Sequence, residues 1–261
     1  MIDRAASLKA ANATTRQLLD LIRTAPDPQA PAIGHWSIAD LTCHMSHVYP
    51  TIARMLRGEG SPIADHRQIG AAWDAEVAKD PERDLTVLTE KIEQGYAESA
   101  ELLSSKGWTD EVEWHGGLKG PVYTLAAVLI SEAFIHGYDI ARATGKNFDR
   151  NPDHARLVVY GFMPNLPEFL HHRAAAGVDA TFELRVRGGE WVYLTVAGDS
   201  LTISQVTERQ IDCHLSVDPV AYLLVGFNRE SQWTAIAKGQ ILAWGRKPWL
   251  SLKFGQLLDS P

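Results

Sequence analysis

Residues 121–145, PVYTLAAVLISEAFIHGYDIARATG, decide how this chain is read. Leu125, Leu129, Glu132, His136, Asp139 and Ala143 are spaced by four, three, four, three and four, so they share one face of a helix running from about Pro121 to Thr144. Gly145 is a plausible stop just past its end. Three polar groups interrupt an otherwise apolar stripe. An unpaired carboxylate in a bundle core is expensive, and becomes tolerable when paired or bound to a metal. Glu132 and His136 stand at i and i+4, where both side chains can reach one point.

A second helix opens at Ser37, a good N-cap, with Asp40 three positions on as the reciprocal partner of a capping box. Its apolar face is Ile38, Leu41, Met45, Val48, Ile52 and Met55, and Pro50 should bend it. His44 lies roughly 60° and 40° around the wheel from Leu41 and Val48, so it also points inward. His47, one turn away, sits nearer the edge of that face and ranks second. Cys43 points about 100° from His44 and reads as a small core residue. A histidine from one helix and a Glu/His pair from another is the kind of metal site bundles build in their cores. The same residues also fit a hydrogen-bonded polar seam, and spacing alone leaves both readings open.

Further helical stripes occupy Met1 to Thr24, about 67–79 and 83–105, the last with Leu85, Leu88, Ile92, Tyr96 and Leu103. The prolines of APDPQAP (25–31) end the first. Long helices with modest loops predict an up-and-down four-helix bundle over 1–145. GKNFDRNPD (145–153) reads as a linker. From 153 a helix, interrupted by Pro164 and Pro167, gives way to period-two alternation at Phe182, Leu184 and Val186. Alternation resumes at Val192, Leu194 and Val196, then at Leu201 and Ile203, then at Ile211, Cys213, Leu215 and Val217. Gly188-Gly189 and Gly198-Asp199 mark hairpin turns. Helices are expected at 219–227 and 248–258, and a short strand near 238–244. The fold class is therefore α+β, a helical bundle followed over 153–261 by a smaller α+β domain with an antiparallel sheet.

The composition excludes several classes. The 261 residues carry a formal net charge of −7, which argues against nucleic acid as a partner. The first 145 residues hold 13 basic and 20 acidic side chains; the remainder hold 12 of each. Two cysteines, Cys43 and Cys213, make no disulfide framework. The longest apolar run, Leu125 to Ile130, is far short of the ~20 residues that span a bilayer, and MIDRAASLKA lacks a signal core. A cytoplasmic protein without membrane partners is expected. No G-x-S-x-G, G-x-G-x-x-G or P-loop pattern occurs.

GHWSIADLTCHMSHV (34–48) resembles the W-S/T-x-x-D/E-L-x-x-H segment that opens the metal helix of DinB-like bundles. SEAFIHGYDIARATG (131–145) resembles the E-x-x-x-H-x-x-D-x-x-x-A-T-G segment of the mycothiol-dependent maleylpyruvate isomerase family. That family appends a small domain similar to sterol carrier proteins, so the resemblance spans nearly the whole chain. It implies that His44, Glu132 and His136 are the ligands of a divalent metal, usually zinc. Two imidazoles and a carboxylate with an open position form a catalytic zinc set, and also suit non-haem Fe(II). Asp139, one turn from His136, is then a candidate to orient an imidazole, or equally to pair with Arg142 or Arg54. The resemblance also implies an arginine of the second domain as an anion clamp. Arg229, after LLVGFN (223–228), is the first candidate, although Phe227 and Asn228 intrude on the family's Leu-rich stretch ending in Gly-Arg; Arg246 is the runner-up.

The expected activity is metal-assisted activation of the low-molecular-weight thiol mycothiol. The thiol would attack an electrophilic small molecule, giving cis–trans isomerisation of a maleylpyruvate-like substrate or S-transfer. Hydrolysis by metal-bound water and non-catalytic binding of a small molecule or lipid are the alternatives. Trp36, Trp73, Trp108 and Trp114 could line a pocket or fill the core. His115 lacks partners at ligand spacing, and His171-His172 is expected to end a helix.

Overall fold

The first long helix, α1 (Arg4–Arg23), starts where the Asp3 carboxylate accepts the Ala6 amide at 2.7 Å. A short antiparallel hairpin, β1 (Pro31–Ile33) and β2 (Trp36–Ser37), leads into α2 (Ile38–Arg57). The capping box forms as the spacing predicts. Ser37 N–H donates to Asp40 Oδ2 at 2.9 Å, and Asp40 N–H donates to Ser37 Oγ at 3.1 Å. Helix α2 continues through Pro50 and ends at Gly58, whose φ of 84° lets the chain leave the helix. There follow α3 (Ile69–Lys79), α4 (Leu85–Ser105), a hairpin of β3 (Glu111–Glu113) and β4 (Lys119–Pro121), and α5 (Val122–Thr144). Gly145, at φ 67°, terminates α5.

This is a computed structural model, and it describes residues 2–258. The chain divides between Arg150 and Asn151 into two units. In the first, α1 lies along α5 and α2 along α4, and α2 also meets α5. The stripe Ile38, Leu41, Met45, Val48, Ile52 and Met55 is buried in full, with Leu18, Ile22, Leu88, Ile92, Leu125 and Leu129. Each such side chain contributes about 1.5–3 kcal/mol of burial. Helix α5 is long and apolar enough to cross a bilayer, but 89% of its most apolar window is buried within the protein, which marks a core helix.

The second unit begins with α6 (Pro152–Phe162). A 3-10 stretch over Met163–Phe169 follows, because Pro164 and Pro167 cannot donate to a continuing α-helix. His171 does not end a helix. Its Nδ1 accepts the Ala174 amide at 3.1 Å and caps the start of α7 (His172–Ala175). The strands are β5 (Asp179–Val186), β6 (Trp191–Ala197), β7 (Ser200–Ser204), β8 (Cys213–Val217) and, beyond helices α8 (Pro219–Gly226) and α9 (Gln232–Ala237), β9 (Ile241–Trp244). A short α10 (Leu250–Phe254) closes the unit. The sheet order is β7-β6-β5-β8-β9. It is antiparallel except between β5 and β8, whose connection through β6 and β7 returns the chain in the same direction. Phe182, Leu184, Val186, Leu194, Val196, Cys213, Leu215 and Val217 line one face and form the core.

Gly95 marks the closest approach of α4 to α2: a Cβ there would lie 2.8 Å from the Pro50 nitrogen and 2.9 Å from the Tyr49 carbonyl carbon. On helix propensity alone, alanine would gain ~1 kcal/mol. Against rigid backbone we expect Gly95→Ala to lower stability by about 1–3 kcal/mol, read from the urea midpoint. A midpoint that rises would show that α2 and α4 part without cost.

Candidate metal centre

The N-terminal half of α2 and the middle of α5 cross where three side chains converge. His44, Glu132 and His136 each offer one ligand atom, and these atoms all lie within 4.8 Å of one another. The Glu132 Oε2 atom is 3.6 Å from His44 Nε2 and 3.4 Å from His136 Nε2. The two imidazole centroids are 5.1 Å apart and the rings are nearly perpendicular. Side-chain exposures are 5% for His44, 12% for His136 and 23% for Glu132, so the cluster is largely shielded from bulk water.

These contacts are poor as hydrogen bonds, since N–H···O bonds normally measure 2.7–3.2 Å. Glu132 Oε2 is buried with no hydrogen-bond partner, and so is His44 Nδ1. Leaving such atoms unsatisfied costs about 1–3 kcal/mol each. The spacing suits an ion instead. Bonds of ~2.0–2.2 Å from zinc to nitrogen and oxygen, at tetrahedral angles, set ligand atoms ~3.4 Å apart. The donor set and the orphaned oxygen therefore fit a divalent metal.

The surroundings polarise the cluster. Burial pushes the His44 pKa down, which keeps a neutral, lone-pair-bearing ring. Burial disfavours the Glu132 anion, but the two facing imidazoles outweigh it and hold the carboxyl well below the usual range. Burial also works against the His136 cation, yet Asp139 and Glu132 together raise its pKa. Asp139 is fully buried on the next turn of α5, and its Oδ2 shares a 3.2 Å hydrogen bond with His136 Nδ1.

Elements outside the four long helices wall the site. Trp36, from β2, sits 5.0 Å from the His44 ring, and Trp73, from α3, meets it edge-on at 5.2 Å. Trp114 is buried beside His115, whereas Trp108 packs against Arg4 and donates to the Ile2 carbonyl. His115, set aside on spacing, is buried with its ring 6.0 Å from Trp73, and its Nδ1 shares a 2.7 Å hydrogen bond with Ser61 Oγ. Burial pushes its pKa down to about 4. No local pattern signals this, because His115 lies in a loop whose path is set by tertiary contacts. His47 is not in the cluster; its Nε2 lies 3.0 Å from Asp80 Oδ2.

In the second unit, Arg229 follows Asn228, which takes a left-handed φ of 58° just past α8. Asparagine tolerates that conformation better than most residues, and so stands where a glycine would be unstrained. Arg229 Nη1 donates to the Phe227 carbonyl at 2.7 Å. Arg246 forms an ion pair with Asp212, which also receives Lys247 at 3.1 Å.

Residues 8–141, half the chain, match the family model described as the mycothiol maleylpyruvate isomerase N-terminal domain. The chain belongs to this enzyme family. Two crystal structures of the mycothiol-dependent maleylpyruvate isomerase, one of them a histidine-to-alanine mutant, share its fold over 92% of both chains. Their TM-scores are 0.57 and 0.56, at 14% and 12% identity. The likeness therefore extends through both units. No curated protein matches the sequence.

Burial of His115 predicts a pH dependence in the metal-free protein. An unfolded histidine titrates near 6.5, so below that pH the unfolded chain binds a proton that the folded chain refuses until about pH 4. Stability should fall as pH drops through that window. The His115 ring resonances in NMR should keep their neutral positions down to about pH 4; titration near 6.5 would show the ring to be solvated.

Proposed function

We propose that this chain is a divalent-metal-dependent enzyme in which His44, Glu132 and His136 hold a zinc ion, and mycothiol is the thiol co-substrate. The observation that carries this is the buried Glu132 oxygen, 3.4 and 3.6 Å from two imidazole nitrogens and hydrogen-bonded to neither. The bound ion would supply Lewis acidity, bringing a thiol whose free pKa is ~8.5 to the thiolate form at neutral pH.

The residues prepare that chemistry. An ionised Asp139 can only accept, so it places the proton on His136 Nδ1 and leaves Nε2 with its lone pair toward Glu132. Glu132 contributes one negative charge and keeps the cluster from being purely cationic. Trp36 and Trp73 exclude water from the His44 side, which strengthens electrostatic interactions inside. Thiolate sulfur then bonds to one carbon of the substrate's cis double bond, and the π pair moves onto the conjugated carbonyl. Rotation about the resulting single bond, and return of the π pair with loss of the same sulfur, give the trans alkene and regenerate the thiolate. If a different group leaves, the product is the S-conjugate. Arg229 is proposed as the clamp for a substrate carboxylate through a bidentate contact. Two free, buried cysteines suit a reducing compartment such as the cytoplasm.

Turnover of maleylpyruvate should require both metal and mycothiol, and His136→Ala should lose bound metal and at least 10²-fold in activity, assayed by metal analysis beside initial rates. Activity that persists after every small thiol is removed would favour hydrolysis. Asp139→Asn, which keeps the shape but weakens the contact to Nδ1, should lower zinc affinity about 10–100-fold in a chelator competition. An unchanged affinity would mean that Asp139 does not position the ligand.

A further inference from the structure

A second group of metal-ligating side chains lies on another side of α2. Cys43 and His47 are i and i+4 on that helix, so their side chains project together. Asp80, which caps the C-terminus of α3, faces them. Cys43 Sγ, a His47 ring nitrogen and an Asp80 carboxylate oxygen all lie within 4.8 Å of one another. None of the three belongs to the His44 cluster. Cys43 and His44 are adjacent in sequence and therefore ~100° apart around the helix, which aims the two groups in different directions.

Three details make this more than a chance cluster. His47 Nε2 is 3.0 Å from Asp80 Oδ2, yet it is a buried atom with no satisfied hydrogen bond, so the ring and carboxylate meet without the alignment of a good donor and acceptor. The other Asp80 oxygen is already occupied, accepting the Glu82 amide at 2.9 Å, which leaves Oδ2 to face His47. Arg83, the neighbouring guanidinium, is engaged elsewhere. It donates to Asp40 Oδ1 at 2.7 Å, to the Asp80 carbonyl at 2.7 Å and to the Val77 carbonyl at 2.9 Å.

We propose that Cys43, His47 and Asp80 form a second, thiolate-containing site for a divalent ion of the zinc class. Sulfur, imidazole nitrogen and carboxylate oxygen are the three donor types zinc uses, and a thiolate with a carboxylate balances its two charges. His47 and Asp80 keep side-chain exposures of 30% and 19%, so the ion has a path to solvent and a fourth position for water. The ion would fasten the end of α3 to α2. Because Trp73 lies on α3 with its ring 5.2 Å from His44, the pin also steadies one wall of the first site.

Cobalt(II) separates the two sites, because only the second supplies a thiolate. Added to the chelator-stripped full chain, Co²⁺ should give an intense near-ultraviolet thiolate-to-cobalt charge-transfer band that zinc abolishes. The band should persist in His136→Ala and be lost in Cys43→Ser. Should Cys43→Ser not fold, the partly exposed His47→Gln is expected to lose the band at the same cobalt concentration. Zinc should bind at two equivalents in the wild type and one in each single-site variant. One equivalent with the band intact would instead unseat the first site and leave this one standing. No band in the wild type, or a band that survives in both Cys43→Ser and His47→Gln, overturns the proposal.

Discussion

A carboxylate held between two imidazoles inside a helical bundle constrains everything else in the first unit. Glu132 can sit there only if α2 and α5 keep their rotation and height relative to each other. A slip of one residue along α5 would turn its face by about 100° and carry Glu132 and His136 away from His44. The bundle resists that slip through apolar packing above and below the cluster: Leu41, Met45 and Val48 on one helix, Leu125 and Leu129 on the other, all buried. The polar centre is thus paid for by its neighbours, and the same packing fixes how the three side chains face one another.

Helices α2 and α5 supply His44, Glu132 and His136, and the pieces between the long helices supply the enclosure. Trp36 comes from the hairpin before α2 and Trp73 from α3. His115 comes from the loop between β3 and β4. These segments help bury His44 and His115, whose tendency to take a proton falls with that burial, and they wall one side of the cluster. Segments of this kind tolerate change more readily than helix cores.

Local sequence patterns carry much of this fold. The stripes of α2 and α5, the Ser37/Asp40 cap and the Gly145 stop are local patterns, and each forms as read. The alternating strands of the second unit are visible for the same reason. What escaped depends on contacts between distant segments. His115 carries no spacing signal. Cys43 is buried core, as its place on α2 predicts, but nothing local tells that Asp80, beyond the end of α3, comes near it. The parallel pairing of β5 with β8 cannot be told from alternation, which is identical in parallel and antiparallel strands of one-sided sheets. The sequence places His171 at the end of a helix, whereas local hydrogen bonding makes it the cap at the start of one.

By itself, then, the amino-acid order determined which residues share a face, where helices begin and stop, and that Glu132 and His136 lie one turn apart. These follow from backbone geometry within a few residues. Only the tertiary structure decided that His44 comes within 3.6 Å of Glu132, that two tryptophans close over it, and that Asp80 meets Cys43 and His47. Distances between separate helices are set by how side chains interlock across them, and periodicity along one helix carries no measure of that.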